Sequence, residues 1–171
     1  DSNDNLTFKG IDGNYRITAD MEKQFFKVEV LNNGEPAALA NDGTGAIWVI
    51  GTDIGKPSVA ANEVGWNTDN ALCMVPLGNG IYQITFVGGE QIKTNSINFK
   101  FYGSKGWNGE FTSTKLSTTS NLIAVNSDTN NNGNINLISG KQFDTDGIYQ
   151  FTIDVSKGID KAILTIKELE K

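Results

Sequence analysis

Three segments of the chain open in the same way. Gly13-Asn14-Tyr15-Arg16-Ile17-Thr18, Gly80-Ile81-Tyr82-Gln83-Ile84-Thr85 and Gly147-Ile148-Tyr149-Gln150-Phe151-Thr152 each put a glycine two residues ahead of a tyrosine. Each then alternates apolar and polar side chains. A period of two is the signature of a half-buried strand. The glycine permits the turn into the strand, and the tyrosine turns its ring inward while its hydroxyl reaches the rim. The first and third copies continue alike, through Asp20 and Lys23 in one and Asp154 and Lys157 in the other. Gly13–Leu31 therefore reads as a hairpin of the same form as the one that closes the chain, the tail of a preceding module left attached. The alternative is chance similarity among hairpins.

Further short apolar runs lie between turn-forming stretches. Strands are expected at 6–11, 25–31, 46–51, 72–76, 111–115, 121–125 and 135–138, and in a closing hairpin of 147–155 with 161–169. Residues 80–108 read as a central hairpin. In it Tyr82, Ile84 and Phe86 form one apolar row, and Ile97, Phe99 and Phe101 another. Residues 58–64, after Pro57, suit one or two helical turns. Residues 32–45 and 126–136 are loops by their Gly and Asn content. About eight to ten short strands with turns between them predict an all-β fold. The expected form is a two-sheet antiparallel β-sandwich, immunoglobulin-like or carbohydrate-binding-module-like, with an extra N-terminal β-hairpin. Residues 1–38 would hold that hairpin and a linker, packed on the module or left from a preceding one, and 39–171 the sandwich. An isolated hairpin is marginal in water, so Tyr15, Ile17, Phe26 and Val28 would need a partner surface in the rest of the chain or in a preceding module. Tyr82, Ile84, Phe86, Ile97, Phe99, Phe101, Tyr149, Phe151, Ile153, Leu164 and Ile166 are the expected core.

Composition narrows the chemistry. The 171 residues include no histidine, so histidine-dependent nucleophiles and histidine zinc sites are excluded. Cys73 is the sole cysteine, which rules out an internal disulfide and suggests a small buried apolar group. A net charge of -6, with a single arginine, argues against nucleic acid. No apolar run is long enough to span a membrane. The polar start, DSNDN, reads as a linker. No cofactor is expected. Carboxylate chemistry of the glycosidase kind remains open. Glu63, Glu90, Glu110, Asp144 and Asp146 are the candidates, but none sits in a pattern that demands a partner.

The order of motifs carries a resemblance. AIWVIG, then Gly65-Trp66, then GIYQITF with INFKFYG and Gly106-Trp107, then Asn134-Ile135, and finally GIYQFTIDVSK with ILTI, resembles the modules of the SusE and SusF starch-utilisation lipoproteins of Bacteroidetes. The resemblance spans about residues 46–169. It implies a non-catalytic carbohydrate-binding β-sandwich at the cell surface, lipid-anchored to the outer membrane. Its partners would be a polysaccharide or oligosaccharide and other outer-membrane glycan-uptake proteins. In that family sugars lie on aromatic side chains and are hydrogen-bonded by Lys, Arg and Asn groups. The matching positions are Trp66, Lys100, Tyr102 and Trp107. The long polar insert Ser113–Asn134 and the leading hairpin depart from the family pattern.

The same positions have a physical reading. Trp66 and Trp107 each follow a glycine in a loop, where an exposed indole offers sugar C–H groups a flat apolar face. The bland alternative is that each plugs an end of the sandwich. Lys100 and Tyr102 share a strand face, and Asn108 lies just beyond, so all three are placed to bond sugar hydroxyls. The bland alternative is an ordinary solvated face. Trp48, inside an apolar strand, reads as core. Asp128, Asn130 and Asn132 imitate the start of a calcium loop, but Ser139 stands where its bidentate glutamate belongs. Two other functions compete with glycan binding: a spacer module without its own ligand, and a small glycosidase.

Overall fold

The computed structural model describes residues 7–170; the polar start and Leu6 lie outside them. The elements in chain order are β1 (Tyr15–Asp20), β2 (Phe25–Asn32), β3 (Glu35–Pro36), β4 (Trp48–Gly55), α1 (Val59–Asn62), β5 (Glu63–Gly65), β6 (Leu72–Cys73), β7 (Val75–Gly78), β8 (Ile81–Val87), β9 (Asn98–Tyr102), β10 (Leu116–Thr118), β11 (Ile123–Val125), β12 (Ile135–Leu137), β13 (Ile148–Asp154) and β14 (Ala162–Leu169). One sheet runs β10-β14-β13-β8-β7. The other runs β11-β12-β9-β4-β5, with β6 also on β4. β1-β2-β3 form a small third sheet. The fold is an all-β sandwich with an added N-terminal hairpin. All its pairs are antiparallel except β10 with β14.

Apolar rows from both main sheets meet in one core. Phe99 on β9 reaches across to Phe151 on β13, with ring centres 6.0 Å apart, and Phe151 meets Phe86 at 5.6 Å. All the expected core residues are buried except Ile166, which is partly so. The chain changes sheets at Met74, whose N–H bonds Ile47 O at 2.9 Å between β6 and β7.

The central segment differs from expectation. β8 and β9 are not a hairpin: they lie in opposite sheets. Alternation says which residues face the core but not from which side. The connecting loop carries the chain across, with fully buried Ile92 bridging both Gly88 and Ile54. Three smaller expectations also fail. Residues 7–11 form no strand, and Ile11 N–H instead bonds Pro76 O. The strand expected at 111–115 forms at Leu116–Thr118, where β14 is its partner. β3 lies inside the expected 32–45 loop, after a tight Asn33-Gly34 turn with both residues at positive φ.

The repeated tyrosines share one device. Each hydroxyl bonds main chain at the sandwich rim or the hairpin base. Tyr15 donates to Ile11 O (2.6 Å), Tyr82 donates to Gly43 O (2.8 Å), and Tyr149 accepts from Asp144 N–H (2.7 Å).

The N-terminal hairpin covers the outer side of the second sheet. There Trp48, Ile50 and Tyr102 form a second apolar cluster with Ala37, Ala46 and Ala71, and Val30 packs against it. Trp48 Nε1–H donates to Ala37 O at 2.9 Å. Ile17 and Phe26, expected to need a partner surface, stay 64% and 52% exposed.

Beside the docked end Glu29 is buried and gathers three cations. Arg16 Nε and Nη2 lie at 3.0 and 2.9 Å, Lys105 Nζ at 2.7 Å and Lys27 Nζ at 3.5 Å. Burial alone would raise the Glu29 carboxyl, but hydrogen bonds from Lys105 and Arg16 hold it below the usual range. A carboxyl depressed in the folded state takes up its proton last in the folded chain. Its contribution is therefore complete above the ordinary value of 4.5 and lost as pH falls below it. Glu29→Gln is expected to lose about 1–3 kcal/mol at pH 7. Denaturant unfolding of both proteins at pH 7 and pH 3 checks this: the gap should be smaller at the lower pH. An equal gap at both would remove the carboxylate from the account.

Candidate functional site

The end of β9 builds the more exposed of the two tryptophan loops. After Tyr102 the chain turns through Gly103–Gly109 and returns at Glu110, which bridges to Tyr102. The loop is closed on itself: Gly103 N–H bonds Gly109 O at 2.8 Å, and Ser104 Oγ bonds Asn108 O at 3.0 Å. Gly109 has φ +71 and would place a Cβ 3.0 Å from the Gly103 backbone, so only glycine suits this close approach. Trp107 stands at the tip, 51% exposed. Its ring meets Tyr102 edge-on, with centres 5.7 Å apart at 76°. Asn108 beside it is exposed.

Trp66 comes from the same sheet. β5 ends at Gly65, whose φ of +60 turns the chain outward and leaves Trp66 41% exposed. Asn67 then caps a 3-10 turn over Thr68–Asn70, and Lys27 of the hairpin donates to Asp69 O at 3.1 Å. β5 and β9 flank β4. At about 4.8 Å per strand, the strands that lead into the two tryptophan loops stand roughly 10 Å apart.

Lys100 and Tyr102 are not on a solvated face. They are 6% and 3% exposed. Tyr102 lies in the cluster beneath the hairpin and against Trp107, and Lys100 lies against Glu110 and the turn at Gly133, contacts that the strand's own alternation does not reveal. Lys100 Nζ pairs with Glu110 Oε2 at 3.1 Å and lies 5.8 Å from the Tyr102 ring centre. Burial, and then the nearby Glu110, push the Tyr102 hydroxyl up to about 12, so it stays a donor at neutral pH. Tyr102 therefore backs Trp107 from beneath, and Lys100 anchors the returning strand through Glu110. Of the five expected contact residues, Trp66, Trp107 and Asn108 reach solvent.

Neighbouring polar groups are satisfied internally. Asn134 Nδ2–H donates to Asn98 Oδ1 at 2.8 Å, and Asn136 Nδ2–H to Ile97 O at 3.0 Å. In the calcium-like loop, Asn132 Oδ1 accepts Ser113 N–H at 2.8 Å, and Asp128 N–H is held by Asn126 Oδ1 at 2.7 Å, while Asn130 is exposed. Among the described residues no group of three Cys, Asp or Glu side chains is arranged to hold a metal. Of the candidate carboxylates, Glu63 Oε1 accepts Asp53 N–H at 2.8 Å, and Glu110 is paired with Lys100. Trp48 is fully buried. Cys73 packs against the second cluster, and burial pushes its thiol up to about 12. Among the described residues no helix is long and apolar enough to cross a membrane.

Sequence reasoning missed one feature altogether. A cavity of about 340 Å³ opens between the hairpin and the sandwich edge where β6 passes into β7. Its lining is drawn from seven separate stretches of chain, so no local motif marks it.

Searches of curated proteins and of solved structures find no match. A family model described as a domain of unknown function, DUF5121, matches residues 42–156, which take in both tryptophan loops and β4 through β13. The chain belongs to the DUF5121 family.

Proposed function

We propose that this chain is a non-catalytic glycan-binding module, with Trp107 and Trp66 as its contact surface. The observation that carries the reading is Trp107: a half-exposed indole at the tip of a loop closed by its own hydrogen bonds and backed by Tyr102. A large aromatic held out of the core in a fixed orientation costs little further ordering when a sugar stacks on it. Asn108 supplies an amide beside the ring, and Trp66 a second apolar face from the same sheet. Stacking gives weak, sugar-tolerant binding. A neutral ligand also makes it insensitive to salt. With the SusE and SusF resemblance, the module's place is a lipid-anchored surface protein of an outer-membrane glycan-uptake system.

The burial of Lys100 and Tyr102 favours a second reading, a spacer module without its own ligand. Affinity electrophoresis through gels of neutral polysaccharides separates the two. The glycan reading predicts retardation by at least one gel, unchanged between low and high salt. Trp107→Ala should abolish it. The edge contact with Tyr102 is worth only about 0.5–1.5 kcal/mol, so the variant should melt within a few degrees of the parent. No retardation in any gel supports the spacer.

A further inference from the structure

We propose that the cavity under the N-terminal hairpin is a second ligand site, which takes a small amphipathic carboxylate whose anionic head pairs with Lys56. This site is separate from the tryptophan loops and does not rest on the glycan reading.

The cavity's volume, about 340 Å³, falls within the usual range for small-ligand pockets, roughly 300–1,000 Å³. On liquid packing it would hold about ten waters. Its walls are mainly apolar: Val28 and Val30 from the hairpin, Leu72 and Met74 at the sheet crossing, and Ile84 from β8. Gln83, Thr85 and Gln150 add neutral polar groups. Among the described residues three lysines line it, Lys9, Lys27 and Lys56, and no Asp or Glu does. That is an unusual sign for a chain with a net charge of -6.

The three lysines differ. Lys27 already donates to Asp69 O and lies 3.5 Å from Glu29. Lys56, just past β4, finds no carboxylate or hydrogen-bond acceptor among the described residues. Its ammonium lies 5.4 Å from the centre of the buried Phe86 ring. Burial pushes its pKa down to about 8, with no anion to restore it. Lys56 is half-buried, and its ammonium keeps some contact with solvent; a partly dehydrated cation without a counter-charge still gains from an anion beside it. A bound carboxylate would supply that charge, and its hydrocarbon body would fill the remaining apolar space. Lys9, the third, is exposed, and burial lowers the Lys27 ammonium as well, against the pull of Glu29. The remaining titratable groups on the walls, Cys73 and Tyr15, carry no charge at pH 7: burial pushes the Cys73 thiol up to about 12 and raises the Tyr15 hydroxyl.

The pH dependence follows. The anion favours charged Lys56, so affinity should be greatest below about pH 8 and fall as the free amine loses its proton. The test is isothermal titration of the full chain with decanoate and with 1-decanol. Decanoate is expected to bind one per chain at pH 7, at least tenfold more tightly than the alcohol. Its affinity should drop roughly tenfold by pH 9.5. Lys56→Met should remove both the preference for the acid and the pH dependence. Lys56→Gln serves the same purpose should the methionine variant fail to fold. Lys27→Met should leave the pH dependence in place. No decanoate binding, equal binding of acid and alcohol, or an unchanged pH profile in the Lys56 variants would each overturn the proposal. Retardation in the glycan gels is read independently of all three.

Discussion

Phe99→Ala should lower the unfolding free energy by about 3–5 kcal/mol, the largest loss expected from removing one side chain here. Phe99 is fully buried on β9, and its ring touches Phe101 in its own strand and Phe151 in the facing sheet. It is therefore one of the few side chains that join both layers of the sandwich. Truncation leaves a void walled by other large aromatics, whose strand backbones have little freedom to close in. Equilibrium denaturation of parent and variant measures the effect. A loss under about 1 kcal/mol would mean that the facing of the two sheets is wrong.

Gly51→Ala should be comparably damaging for a different reason. Gly51 lies in β4 at φ +148, opposite Phe99 on one side and Gly65 on the other. A Cβ added there would overlap the Phe99 backbone. Relief requires moving a central strand rather than rotating a side chain, so the cost should exceed about 3 kcal/mol. The loss of near-ultraviolet dichroism at temperatures where the parent is folded would report it. A variant that melts with the parent would show that β4 and β9 are farther apart than described.

These two positions also mark what the sequence could tell. That Phe99 faces a core was legible from alternation with Asn98 and Lys100. The closing pair β13 and β14 was legible too, since two alternating runs flank a short turn. The partner of β9 was not: a row of alternating residues looks the same whether its neighbour is β8 or β4. The fate of Lys100 and Tyr102 depended on the same long-range fact. Their strand face is polar by pattern, yet Tyr102 is covered by a hairpin more than 60 residues earlier in the chain and by Trp107, and Lys100 by Glu110 and the turn at Gly133. Asn33-Gly34 is a hairpin signal by residue type, but β3 is so short that its flanks carry no period. The cavity beside Lys56 assembles from segments scattered between Thr7 and Gln150, which no window of sequence contains.

Trp66 and Trp107 were legible as loop tryptophans beside glycines, and both reach solvent. Whether they serve one ligand is the central claim. The most direct measurement is tryptophan fluorescence titration with neutral oligosaccharides of increasing length, drawn from the polysaccharide that retards the chain. It should be made on the parent, Trp66→Ala and Trp107→Ala. Strands roughly 10 Å apart should let one oligosaccharide meet both indoles. The account predicts that affinity rises from mono- to trisaccharide in the parent, that Trp107→Ala abolishes binding, and that Trp66→Ala removes the gain with length. Affinity unchanged in both variants, or no fluorescence response at any length in the parent, would contradict it.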